Sequence, residues 1–248
     1  CSSDLPINTT TGTQFNTLAV NLEENSSRSP VNYLMPPNVE RVQLLSNNGV
    51  NLQQNEQAIS MRVNNLQAGD ARGIFKTLNL DIRRYTKLSM YLHAESITGQ
   101  RPVVDNEIRA VIRIGQDFLN NYYEIKVPLK ITAPGIYPRG QEARVWPEDN
   151  NIDFLLRDLI DLKIERNNSG ASLSNIYRKI IGNKTMSIMG NPNLGEVRGF
   201  LVAVENPARP NGVAVSAEVW ANELRLSGLD EKGGYAARSE ERRVGKEC

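Results

Sequence analysis

The chain has one histidine, His93, and it is the natural first place to look for chemistry. It falls on the polar side of an alternating stretch, Thr86 to Glu95, where an imidazole could act as a base or a ligand. Catalytic triads and metal sites need several groups converging on one point, and no second histidine exists to join it. The cysteines, Cys1 and Cys248, stand at the two ends of the sequence and define neither a disulfide framework nor a thiolate metal site. There is no G-x-S-x-G elbow, no P-loop and no H-E-x-x-H pair, and Gly195 and Gly199 lie too far apart for a dinucleotide loop. The expectation is a protein that is not an enzyme, with no catalytic, cofactor-binding or metal-binding residue to assign and no cofactor.

Carboxylates and aromatic rings are the remaining candidates. Asp105, Glu107, Asp117 and Glu124 could converge near loops, and Glu218 and Glu223 flank Trp220. A glycosidase pair must sit roughly 5 to 10 Å apart in a cleft, and solvated strand faces explain these charges more simply. They do not have EF-hand spacing. Tyr91, Tyr122, Tyr123, Trp146 and Trp220 could stack on sugar rings, as in jelly-roll carbohydrate-binding modules. Tyr122 and Tyr123, however, point to opposite faces of a strand, and aromatic residues are ordinary strand formers. Paired asparagines (Asn47-Asn48, Asn64-Asn65, Asn120-Asn121, Asn150-Asn151, Asn167-Asn168) fit turns and left-handed positions.

These residues depend on a run of short strands to position them. Ile59, Met61 and Val63 alternate, Gly69-Asp70 turns, and Ile74 to Leu80 follows as a strand. In Thr86 to Glu95, Leu88, Met90, Leu92 and Ala94 face one way, with Tyr91 and His93 on the other. Ile108, Ala110, Ile112 and Ile114 make the next strand, with Arg109 and Arg113 outward. Tyr123, Ile125, Val127 and Leu129 share a face of the one after. Strands resume at Thr185 to Met189 and Arg198 to Glu205. The last is a long strand in which Val215, Ala217, Val219 and Ala221 alternate before the apolar phase slips to Leu224 and Leu226, the mark of a β-bulge near Asn222 and Glu223.

One segment has a different period. Ile152, Leu155, Leu156, Leu159 and Leu162 recur at helical spacing, which predicts an amphipathic helix over Asn151–Glu165, followed by a loop over Ser169–Asn183. With about eight strands, the pattern predicts an all-β, jelly-roll-like β-sandwich carrying one helix.

Composition narrows the partners. Hydrophobic residues make up 40% of the chain, enough for a sizeable core. Setting aside Arg238–Cys248, which holds four basic and three acidic residues, from totals of 29 and 28 leaves 25 of each sign. No basic excess points to nucleic acid. No apolar run reaches the roughly 18 residues of a spanning helix, a test that is blind to membrane strands. Residues 1–28, rich in Ser, Thr and Asn, read as a linker or edge segment. Cys1-Ser2-Ser3-Asp4 would suit the lipidated start of a bacterial lipoprotein, although a truncation that begins at Cys explains it more simply. The run "RSEERRVGKEC" at 238–248 resembles a translated sequencing-adapter scar, so the chain reads as a fragment whose domain occupies 29–237.

Several stretches carry a resemblance. "SPVNYLMPPNVER" (Ser29 to Arg41), "LQQNEQAISMRVNNLQAGDARGIFKT" (Leu52 to Thr77), "LDIRRYTKLSMYLHAES" (Leu80 to Ser96), "NYYEIKVPL" (Asn121 to Leu129), "VWP" (Val145 to Pro147), "GNPNLGEVRG" (Gly190 to Gly199) and "VWANELRLSGLDEKGGYAA" (Val219 to Ala237) run in order through most of 29–237. They resemble the SprA/Sov family, the very large outer-membrane β-barrels of the type IX secretion translocon of Bacteroidota. The resemblance implies an N-terminal-type domain that is structural and non-catalytic, inserted between strands of a giant barrel. Its implied partners are the rest of that barrel, translocon accessory proteins and secreted cargo. Its implied place is the outer membrane of the cell envelope, in protein secretion and, where adhesins are the cargo, gliding motility. Which residues would touch those partners is unknown. Gly233-Gly234 followed by Tyr235 would suit re-entry of the chain into the barrel rim, with a membrane strand starting after Ala237. The rival expectation is a carbohydrate-binding-like jelly-roll module of a surface lipoprotein.

Overall fold

The computed structural model describes residues 12–41, 43–45, 51–53 and 55–229. Cys1, the Gly233-Gly234-Tyr235 exit and the 238–248 tail lie outside them. In chain order the strands are β1 (Gln14–Asn21), β2 (Gln43–Leu45), β3 (Asn51–Gln53), β4 (Gln57–Leu66), β5 (Asp70–Leu80), β6 (Tyr85–Ser96), β7 (Arg109–Gly115) and β8 (Tyr122–Pro128). They continue as β9 (Ile152–Leu155), β10 (Tyr177–Ile181), β11 (Lys184–Met189), β12 (Val197–Asn206) and β13 (Val215–Leu229). Helices are few: α1 (Leu22–Asn25), α2 (Glu142–Val145) and α3 (Leu156–Ser169).

The fold is an all-β sandwich. One sheet has the order β1-β4-β13-β6-β9, the other β10-β11-β8-β7-β12-β5, and β2 pairs with β3. Every ladder is antiparallel. Alternation builds the core between the sheets. Met90, Leu92 and Ala94 of β6 and Ala217 and Val219 of β13 pack in one cluster with Ile112 of β7, Ile125 of β8 and Val204 of β12. Burying one such aliphatic side chain is worth about 1.5 to 3 kcal/mol, so the two matched stripes dominate the stability of the fold.

Helix α3 closes one side of the sandwich. Leu156, Leu159 and Leu162 are buried in the common core, and Gly170 caps the helix with φ 70°. Its start differs from the expectation of Asn151. Ile152 and Phe154 are buried strand positions opposite Met90 and Leu88, so Asn151–Leu155 is extended and the helix begins at Leu156. Ile152 fits both periods, and pairing with β6 decides between them. A second correction falls in the expected loop over Ser169–Asn183, where β10 forms the edge of the larger sheet. Among the described residues the two sheets together hold eleven strands rather than about eight. Within residues 1–28, the described part forms edge strand β1 and helix α1, which Asn21 caps by accepting from the Glu24 N–H. The bulge in β13 is present: register with β6 shifts between Asn222 and Arg225, and Glu223 adopts φ 55°.

A third layer covers the face of the smaller sheet that alternation leaves polar. The segment 26–39 and the stretch 131–147 cross it and tie to each other, with Gly135 N–H donating to Pro30 O (2.8 Å) and Asn32 exchanging hydrogen bonds with the Tyr137 backbone. Val31, Tyr33, Trp146 and Trp220 form a second core there. His93 and Tyr91, read as facing away from the core, therefore face this cover.

Candidate functional site

Between sheet and cover lies the densest group of charged and aromatic side chains. Strand alternation sets Tyr91, His93 and Glu95 of β6 beside Asn222, Trp220 and Glu218 of β13, with Glu95 and Glu218 directly opposite. Two carboxylates so placed repel. Arg28 in the cover resolves this: Nη1 lies 2.7 Å from Glu95 Oε1 and Nη2 2.7 Å from Glu218 Oε2. Its guanidinium also sits 5.1 Å from the Trp220 ring centroid. Glu218 Oε1 accepts from Ser60 Oγ (2.8 Å) and Trp220 Nε1 (3.0 Å).

The His93 ring stacks on Trp220 with centroids 3.9 Å apart. Nδ1 is 2.7 Å from Val145 O, an acceptor only, so Nδ1 carries a proton and donates it. Nε2 faces Glu95 Oε2 at 3.3 Å, and Thr132 Oγ1 lies 3.2 Å from Nδ1. Trp146 Nε1 donates to Leu34 O (2.8 Å). Nearby, Tyr33 Oη donates to Glu56 Oε2 (2.5 Å), and Asn222 Nδ2 donates to both Tyr33 Oη and Glu56. Burial, and then the adjacent Glu56, push the Tyr33 phenol far above the usual tyrosine range.

The arrangement is sealed. His93 and Trp220 are 0% exposed and Glu95 is 1% exposed. Its carboxylates are held by Arg28 and by hydroxyl and indole donors. What the geometry can do is fasten the cover to the sheet, because removing one partner of a buried ion group leaves an uncompensated charge at a cost of about 3 to 5 kcal/mol.

The other carboxylates do not converge. Asp105 Oδ1 accepts from Ile131 N (2.8 Å). Glu107 binds Arg101 (2.5 Å) and the Val104 N–H (3.0 Å). Burial works to raise its pKa, but those bonds prevail and hold it below the usual range. Asp117 caps the β7–β8 turn through the N–H groups of Leu119, Asn120 and Asn121, and these outweigh its burial and lower its pKa. Glu124 pairs with Arg113 (2.7 Å) on the outer face of the larger sheet, and Glu223 pairs with Arg225 in the bulge. Among the described residues no three histidine, cysteine or acidic side chains group so as to hold a metal ion.

The aromatic residues are turned to packing. Trp146 and Trp220 are 1% and 0% exposed, Tyr123 lies in the main core, and Tyr91 Oη donates to Pro37 O (2.6 Å). Tyr122 sits under the Arg113 guanidinium, 4.4 Å from its ring centroid. None of the two tryptophans or Tyr123 offers a face to a pyranose.

Sequence reading pairs His93 with a polar face and Glu218 with Trp220, but it misses Arg28, Glu95 and Glu56. Period two was enough to find Glu95, which shares the His93 face. Arg28 and Glu56 lie in segments without periodicity, so no local signal could name them.

The family model SprA_N, described as motility related/secretion protein, matches residues 2–241. A comparison with curated proteins finds no match.

Proposed function

The chain belongs to the SprA_N family of motility-related and secretion proteins, and from that premise we propose that it is a non-catalytic structural domain of an outer-membrane β-barrel translocon. The system would be type IX protein secretion, with gliding motility where the cargo is an adhesin. The single observation carrying this reading is that the family match extends over nearly the whole chain, 2–241, so the sandwich is itself the family's unit. The sealed cluster supports it, because the charges sit where they can stiffen a wall and not where they can meet a substrate. No helix of the described residues is long and apolar enough to cross a membrane, which leaves membrane strands outside this chain's described part untouched. In this reading the domain buttresses the barrel or its rim and offers surfaces to accessory proteins and cargo.

The test is a chromosomal His93→Asn substitution, since the asparagine Nδ2 can replace the Nδ1 donor to Val145 O but cannot shuttle a proton. Export of cargo into the medium should match the wild type while the domain stays folded. Loss of export with an unchanged thermal midpoint would mean that the imidazole performs chemistry, and the non-catalytic reading would fail.

A further inference from the structure

The partners of the buried His93 ring dictate where its protons sit. Nδ1 lies 2.7 Å from Val145 O, which can only accept, so one proton is fixed there. The Thr132 hydroxyl, 3.2 Å from the same nitrogen, has Arg144 O (3.4 Å) and Val145 O (3.5 Å) to donate to. Nε2 then faces Glu95 Oε2 at 3.3 Å. A neutral imidazole with its proton on Nδ1 would set a lone pair against a carboxylate oxygen, two acceptors with nothing between them. A second proton turns that contact into a charge-assisted hydrogen bond.

The charges agree. Glu95 and Glu218 are 1% and 4% exposed and share one guanidinium, that of Arg28. With a neutral His93 these three side chains leave one negative charge uncompensated; with an imidazolium the group sums to zero. The other charged and titratable groups around the ring do not alter that sum. On β4, Arg62 stands 3.9 Å from Glu218 with its side chain 40% exposed, where solvent screens it. Tyr91 Oη donates to Pro37 O and Tyr33 Oη to Glu56, so both phenols are neutral. Glu56 is taken up by Tyr33 and by Asn222 Nδ2, and the Arg144 guanidinium of α2 lies over the Tyr137 ring.

We propose that the His93–Glu95 pair is a proton-operated latch: the closed cover holds a second proton on Nε2, taken up from solution as the cover docks. The ring grips both layers. One N–H reaches Val145 O in the cover, and the other holds Glu95, whose second oxygen binds Arg28 of the cover. Beside it, the Thr132 N–H of the cover donates to Ala94 O of β6 (2.8 Å). With the cover lifted the ring meets water and behaves as an ordinary histidine, mostly neutral at about pH 7.5. Closing therefore takes up close to one proton at that pH. Because the closed state binds more protons than the open one, rising pH favours opening. The latch rests on the geometry of the cluster and is independent of the translocon reading.

The test uses the full chain, labelled with nitrogen-15 at its one histidine. At about pH 7.5, nuclear magnetic resonance should show both ring nitrogens of the folded protein protonated. A lone-pair Nε2 at that pH overturns the proposal, and this spectrum decides whether or not any variant folds. The second measurement is hydrogen exchange at the Thr132 amide across neutral pH, expressed as an opening constant corrected for intrinsic exchange. Opening should grow by up to about tenfold per pH unit. In Glu95→Gln, the new amide can donate to a neutral Nε2 while its oxygen accepts from Arg28, so no second proton is required. That variant should show one protonated ring nitrogen and an opening constant that changes by less than about twofold per pH unit. A flat opening constant in the wild type, or an equal slope in Glu95→Gln, overturns the latch.

Discussion

At the scale of single residues, Arg28 decides whether the cover stays in place. Its two guanidinium nitrogens each lie 2.7 Å from a buried carboxylate, and among the described residues the other basic groups stand farther off, His93 Nε2 3.3 Å from Glu95 and the half-exposed Arg62 3.9 Å from Glu218. Arg28→Met should lower unfolding free energy by about 3 kcal/mol, as urea denaturation would measure. Adding Glu95→Gln and Glu218→Gln should recover part of the loss, because the repulsion then disappears; a purely additive triple variant would contradict the ion-cluster account. Tyr123 gives a pH prediction. Burial pushes its phenol up to about 12, only partly opposed by the charge of Arg166. The folded state therefore holds the neutral form more tightly than the unfolded chain does. That contribution is complete below the ordinary tyrosine pKa near 10 and is lost as pH rises toward about 12. Stability measured across that window should fall by roughly 2 kcal/mol more in the wild type than in Tyr123→Phe.

At the scale of elements, α3 closes one side of the sandwich. Leu159 is fully buried between the helix and the sheets, so Leu159→Ala should cost about 2 to 5 kcal/mol, whereas Ile160→Ala, on the exposed face, should stay within about 0.5 kcal/mol. Equal effects in calorimetry would mean that the helix is not a plug. The elements also show how far the sequence could be read. Strands with a strict period, such as Leu88-Met90-Leu92-Ala94, and the bulge at Glu223 were legible because alternation and its slip are local signals. The boundary between β9 and α3 was not, because Ile152 satisfies both periods and only its partner Met90 settles it. Strand β10 was hidden in Tyr-Arg-Lys-Ile-Ile, an edge strand whose residues are mostly exposed and whose charge reads as loop.

At the scale of the whole molecule, three layers replace the two that strand patterning predicts. The face of β6 that carries Tyr91, His93 and Glu95 is polar or amphipathic, and no periodicity in 26–39 or 131–147 announces a cover. Polar residues on a strand report a non-aliphatic neighbour, and that neighbour can be water or a buried counter-charge. Here it is Arg28. The candidate site was therefore legible in half its members and not in its burial beneath a cover.

If the sandwich serves protein export as a structural part, removing it should stop export. The most direct measurement is an in-frame removal of the codons for residues 14–229 from the chromosomal gene, followed by quantifying cargo in the medium and in the periplasm. The shortened protein should still be made while cargo stays in the periplasm and spreading motility stops. Normal export and motility, with the shortened protein present in the envelope at wild-type amount, would contradict it.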